Sequence, residues 1–166
     1  LIYQDSISLY ADKSYIGRIV YKADNGVTGV KIGLETANSS TTIGLINSES
    51  TDFITKEFKL KPKSNFWDLA KLNVSFSGTG KVTLAAISLM PEDNIEGFRP
   101  DVIALLKELD SPIYRWPGGN FVSGYDWKDG IGNPDARPTR YERAWNGLEY
   151  NDVGIHEFMQ LCKILD

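Results

Sequence analysis

The residues with the most to offer chemically lie in one run, Arg115-Trp116-Pro117-Gly118-Gly119-Asn120-Phe121-Val122-Ser123-Gly124-Tyr125-Asp126-Trp127. Arginine presents a rigid fork of N–H donors and asparagine both a donor and an acceptor, a combination suited to hydroxyl-rich ligands or to a carboxylate. Pro117 stiffens the backbone, whereas Gly118 and Gly119 permit dihedrals or close approaches closed to other residues. Trp116, Phe121, Tyr125, Trp127, Tyr141 and Trp145 supply rings that can stack on the apolar faces of sugars. Arg115, Gly118, Gly119 and Asn120 are therefore candidate ligand-binding residues.

Other chemistries are poorly served. His156 is the only histidine and Cys162 the only cysteine, which argues against a His/Cys zinc site, a Ser-His-Asp triad and an internal disulfide. His156 is expected to be exposed and inert, and Cys162 to be a small apolar core residue. No Lys-Ser/Thr pair follows the glycines at the spacing of a phosphate-binding loop. The loop acids Asp126, Asp129, Asp135, Glu142, Glu149 and Asp152 read as a solvated acidic surface, not as a catalytic pair. The chain carries 18 basic and 22 acidic residues, a net charge of −4, with no basic footprint for nucleic acid. No window approaches the ~18 apolar residues that span a bilayer. No cofactor and no metal are expected.

Two textures position these residues. Residues 1–90 read as short strands: Ser14–Lys22, Val27–Leu34, Phe53–Leu60, Leu72–Phe76, and Val82–Leu84 leading into Ile87–Leu89. Turn signals separate them at Asp24-Asn25-Gly26, Asn38-Ser39-Ser40, Lys61–Asn65 and Gly78-Thr79-Gly80, which predicts a β-sandwich or jelly roll. Tyr3, Tyr10, Tyr15, Tyr21 and Trp67 are placed in its core or at its edges rather than on a sugar platform.

The texture changes at Met90–Asn94. Phe98–Leu109 has a helical apolar stripe, with Pro100 suited to the first turn. Ile113–Trp116 reads as a short buried strand with Arg115 near its end, and residues 152–165 as a second helix capped by Asp152. This succession predicts a parallel α/β sheet or barrel in residues 91–166. The connection from Pro117 to Asn151 far exceeds the usual ~2–6 residues, so it is functional or has structure of its own. In such folds ligands bind at the C-terminal ends of the strands.

The Arg115–Trp127 run, followed by Asp129-Gly130-Ile131-Gly132, resembles the signature after the second barrel strand of glycoside hydrolase family 51 α-L-arabinofuranosidases. Gly97–Val102 and Ala144–Asp152 are similar as well, so the resemblance runs from about Met90 to Asp166. It implies the opening βα units of a (β/α)8 barrel, preceded by an inserted β domain like a carbohydrate-binding module. It implies that Arg115 orients catalytic carboxylates, that Asn120 contacts sugar hydroxyls and that Trp145 lines the cleft. The implied reaction is retaining hydrolysis of terminal arabinofuranosyl groups of arabinoxylan or arabinan, by two glutamates that the resemblance assigns to no residue of this chain. The 166 residues alone are then expected to be inactive. The alternative is a non-catalytic carbohydrate-binding or structural segment of such an enzyme. The expected partner is an arabinose-containing saccharide, not nucleic acid or membrane. Two open barrel units leave apolar surface exposed, which predicts a chain that aggregates, forms oligomers or is completed by further segments. An extracellular or periplasmic location is favoured over a cytoplasmic one.

Overall fold

The computed structural model describes residues 1–10, 13–37, 40–45, 50–62 and 68–166. It separates into two compact units, Leu1–Asp93 and Asn94–Asp166.

The first unit is built from seven strands: β1 (Ile2–Leu9), β2 (Tyr15–Ala23), β3 (Val27–Glu35), β4 (Ser40–Leu45), β5 (Ser50–Leu60), β6 (Asp68–Gly78) and β7 (Val82–Pro91). They form a four-stranded sheet ordered β1-β6-β3-β4 and a three-stranded sheet ordered β5-β2-β7, with every neighbouring pair antiparallel. Alternation along the strands decides which side chains go inside, because successive residues of a strand point to opposite faces. Tyr15, Ile19 and Tyr21 of β2 and Phe58 and Leu60 of β5 are buried with Val30, Ile32 and Leu34 of β3 and Ala70, Leu72 and Val74 of β6. Both sheets thus contribute to one core, and the unit is sandwich-like, as its strand pattern predicts.

Two strands escape a pattern-based reading. β1 is exposed over most of its length and its register slips between Gln4 and Ile7, where Ser6 takes φ 60°. β4 opens with Ser40-Thr41-Thr42, polar residues on an edge strand. Tyr15 and Tyr21 are core residues, whereas Tyr3 and Tyr10 are exposed. Trp67, Asn38, Ser39 and the Lys63–Asn65 part of the expected turn lie outside the described residues.

In the second unit, α1 (Pro100–Leu109) starts with proline at its first position and ends at Asp110 in the left-handed region, φ 46°. Ile113–Trp116 does not form the expected buried strand. It has no ladder partner, Ile113 and Arg115 are exposed, and the Tyr114 hydroxyl donates to the Leu106 carbonyl at 3.2 Å. A strand is stable only where neighbours take up its N–H and C=O groups, and the only paired strands among this unit's described residues are β8 (Arg140–Glu142) and β9 (Gly147–Glu149). The second helix, α2 (Ile155–Leu165), begins later than the sequence suggests. Gly154 occupies the cap position, and the Glu157 carboxylate accepts from its N–H at 2.7 Å, so the exposed Asp152 does not cap. His156 is exposed, and Cys162 is half-buried rather than a core residue.

Candidate functional site: the 117–151 loop

The long connection has structure of its own. Three short 3-10 turns, Gly119–Ser123, Trp127–Gly130 and Pro134–Ala136, precede the β8–β9 hairpin. The Trp116–Pro117 peptide is cis. Gly119 takes φ 64°, and a Cβ built on it would stand 3.5 Å from Cζ2 of Trp145.

Polar side chains tie the loop together. Arg137 is nearly fully buried and donates to both oxygens of Glu157, at 3.0 and 2.9 Å, and to the backbone carbonyls of Gly132 and Asn151. Burial pushes the Glu157 carboxyl up, but the Arg137 and Gly154 hydrogen bonds outweigh it and hold the group below its ordinary value. Asp129 pairs with Arg140 through bonds of 2.7 and 3.1 Å, and that hydrogen bonding holds its carboxyl low as well. Glu142 accepts from the N–H groups of Ala144 and Trp145, and Glu149 from that of Asn151. These acids are therefore not merely solvated, as expected from sequence. Backbone turns and arginines approach them, and a carboxylate is the strongest acceptor available to such donors.

The six rings singled out in the sequence divide into two sets. Trp116 meets Tyr125 edge-on with centroids 5.4 Å apart and stacks on Phe158 at 5.9 Å, while Phe121 lies 4.7 Å from Tyr125. These rings pack internally. Burial, then the charge of Glu149, raises the Tyr125 phenol. Trp127, Tyr141 and Trp145 are exposed, Trp145 by 70%.

A pocket of about 510 Å3 opens between the first 3-10 turn and the hairpin. Of the five candidate residues, only Asn120 lines it. Trp145 lies near Gly119, where a built Cβ would stand 3.5 Å from its indole, Gly118 is exposed, and Arg115 is exposed outside the pocket lining. Arg115 is thus not the buried strand-end arginine that the sequence suggests, because the strand itself is absent. Sequence reasoning missed Arg137 and Asn151. The only available signal was Arg-Pro at 137–138 within a loop of glycines and prolines.

Amide, guanidinium and exposed aromatic groups around an open pocket are the means by which proteins meet hydroxyl-rich ligands. The comparisons narrow this class. Residues 105–166 match the family described as Alpha-L-arabinofuranosidase 1 domain. The chain is 57% identical over 68 residues to the Intracellular exo-α-(1→5)-L-arabinofuranosidase of Acetivibrio thermocellus, covering 41% of this chain and 14% of that protein. It is 52% identical over 73 residues to the Intracellular exo-α-(1→5)-L-arabinofuranosidase 1 of Bacillus subtilis, covering 44% and 15%. The Exo-α-(1→6)-L-arabinofuranosidase of Bifidobacterium longum is 55% identical over 67 residues, 40% of this chain and 13% of its own length. The second unit therefore carries an arabinofuranosidase-related segment, and the resemblance read from its sequence holds over that segment. The chain spans about one seventh of the length of these relatives. Among solved structures, the EclA C-terminal domain, a sugar-binding protein, is similar at TM-score 0.35 and 14% identity, over 54% of this chain and 66% of its own. That likeness is too slight to define a shared fold.

The names correct one expectation. An extracellular or periplasmic location was favoured, yet the relatives from A. thermocellus and B. subtilis are both named intracellular.

Proposed function

We propose that this chain supplies the arabinose-binding segment of a retaining α-L-arabinofuranosidase that removes terminal α-L-arabinofuranosyl groups from arabinan or arabinoxylan. Residues 91–166 open the (β/α)8 catalytic domain, and residues 1–90 form a module of the carbohydrate-binding type. Trp145, Gly118 and Gly119 bound the furanose, Asn120 bonds its hydroxyls, and Arg115 orients the carboxylates that act on it. Retention requires two carboxyl groups ~5–5.5 Å apart, one as nucleophile and one as acid/base. Neither role falls to Asp129, Glu142 or Glu149, whose oxygens are engaged by Arg140 and by backbone N–H groups. The 166 residues alone bind sugar without turning it over.

The observation that carries this reading is the placing of Trp145 near Gly119, where a Cβ built on the glycine would stand 3.5 Å from the indole. An exposed indole stands beside a left-handed glycine, next to an amide that faces an open pocket. The test is kcat/KM on an aryl α-L-arabinofuranoside, measured in the full-length protein that contains this chain. Arg115→Ala and Trp145→Ala should each lower it by at least about tenfold, equivalent to ~1.4 kcal/mol of transition-state binding. Unchanged values for both would sink the assignment.

A further inference from the structure

Trp145 lies in the 143–146 connection of the β8–β9 hairpin, 70% exposed. Among the described residues its indole makes no hydrogen bond and meets no other ring. A side chain so little packed takes its direction from the backbone that carries it. One carboxylate holds that backbone. Glu142 pairs with Gly147 at the end of the ladder, and its two oxygens accept from successive N–H groups, Ala144 at 2.9 Å and Trp145 at 2.6 Å. On the other side of the turn the Tyr141 hydroxyl donates to Oδ1 of Asn146, which takes φ 54°. The main chain of Trp145 is therefore held from both sides while its ring stays in solvent.

We propose that Glu142 is a positioning residue of the arabinose site. Its carboxylate fixes the main chain of Trp145 and through it the indole near Gly119, where a Cβ built on the glycine would stand 3.5 Å from Cζ2. The inference rests on the proposed function, which gives Trp145 a share in holding the furanose, and it adds a residue to which the resemblance assigns no role. Glu142 acts on the sugar only through Trp145, since both of its oxygens are turned toward the main chain. The attachment of the loop to α2 rests elsewhere, on Arg137 and Glu157.

Charge and shape both enter. Hydrogen bonds to an ionised acceptor are roughly twice as strong as those between neutral groups. Glutamine in place of Glu142 keeps one acceptor oxygen but turns an NH2 group toward the second N–H, so that two donors face each other. The turn then opens on one side, and the indole samples more orientations before sugar arrives. Ordering it on binding weakens affinity by about fivefold, with little effect on the chemical step.

The test is a double-mutant cycle in the full-length protein that contains this chain, with kcat and KM measured on an aryl α-L-arabinofuranoside. Glu142→Gln should raise KM about fivefold and leave kcat within about twofold. The same substitution made in Trp145→Ala should change neither, because the ring that it positions is gone. A Glu142→Gln effect that persists in full without the indole overturns the inference, and so does an unchanged KM in Glu142→Gln. Either way, activity lost in Trp145→Ala leaves the arabinose reading standing. Trp145→Ala with natural kcat/KM overturns the reading of Trp145, and the positioning role with it. Amide hydrogen exchange of the 166-residue chain gives a readout independent of activity. The Trp145 N–H should exchange at least about fivefold faster in Glu142→Gln than in the natural chain, and equal rates overturn the proposal.

Discussion

The side chain of Arg137, 2% exposed, meets the carboxylate of Glu157 through two guanidinium hydrogen bonds of 2.9 and 3.0 Å. The pair joins the end of the third 3-10 turn to the first turn of α2, where Glu157 also accepts from the Gly154 N–H. One ion pair therefore anchors the loop that presents Asn120 and Trp145. Arg137→Ala should destabilise the second unit by about 2–4 kcal/mol, because it strands a half-buried carboxylate and several backbone acceptors. Glu157→Gln, which keeps an acceptor for Gly154, should cost less. Urea unfolding followed by far-ultraviolet circular dichroism separates the two, and equal midpoints would contradict this account.

The same pair sets a pH dependence. The Glu157 carboxyl lies below its ordinary value of 4.5 when folded, so the unfolded chain binds more protons in that window. The contribution is complete above 4.5 and is lost as pH falls through the lower folded value. Unfolding midpoints measured at decreasing pH should fall more steeply for the natural protein than for Glu157→Gln. Parallel curves would assign the acid sensitivity to other carboxylates, such as Asp129.

Gly130 and Gly154 cross so closely that a Cβ on Gly154 would stand 1.9 Å from the Gly130 carbonyl oxygen. A Cβ on Gly130 would meet the Tyr125 hydroxyl at 2.5 Å. Gly154→Ala should cost at least ~1–3 kcal/mol through the backbone shift it forces. Gly147→Ala, with no atom within 4 Å of the new Cβ, should stay within ~0.5 kcal/mol of the natural protein. Chemical denaturation of both variants checks the contrast.

Trp145 and Arg115 are exposed, so alanine at either position should leave the unfolding midpoint within ~0.5 kcal/mol of the natural chain. A large loss of stability in either variant would show that any loss of sugar binding reflects unfolding of the loop rather than a lost contact.

α1 exposes Leu105 and Leu109, and Ile113 follows it at 79% exposure. Apolar surface of this kind drives association. Sedimentation of the 166-residue chain should reveal concentration-dependent oligomers that Leu105→Ser together with Leu109→Ser reduces. A monodisperse monomer at all concentrations would refute this.

The strands legible in the sequence were those with one wet face and one dry face. Val30, Ile32 and Leu34 alternate in the chain and are buried in the structure, as are Leu72 and Val74. β1 is exposed over most of its length and β4 opens with Ser40-Thr41-Thr42, so neither announces a buried face in sequence, and their pairing is decided by the neighbouring strand. The same limit applied to Ile113–Trp116. Its apolar run suits a buried strand, yet strand formation needs a ladder partner, and sequence pattern alone cannot supply one.

By itself, then, the sequence determined the two textures, the helical stripe of α1 with its proline start, and the run from Arg115 to Trp127 that marks the arabinofuranosidase-related segment. These are local properties, written in the order of side chains along a few turns or strands. Tertiary structure alone decided that Arg137 would find Glu157, that Gly130 and Gly154 would cross, and that Trp116, Phe121 and Tyr125 would pack inward while Trp145 stayed in solvent. Each of those outcomes depends on which distant residue arrives at a given point, and the folded backbone sets that arrival.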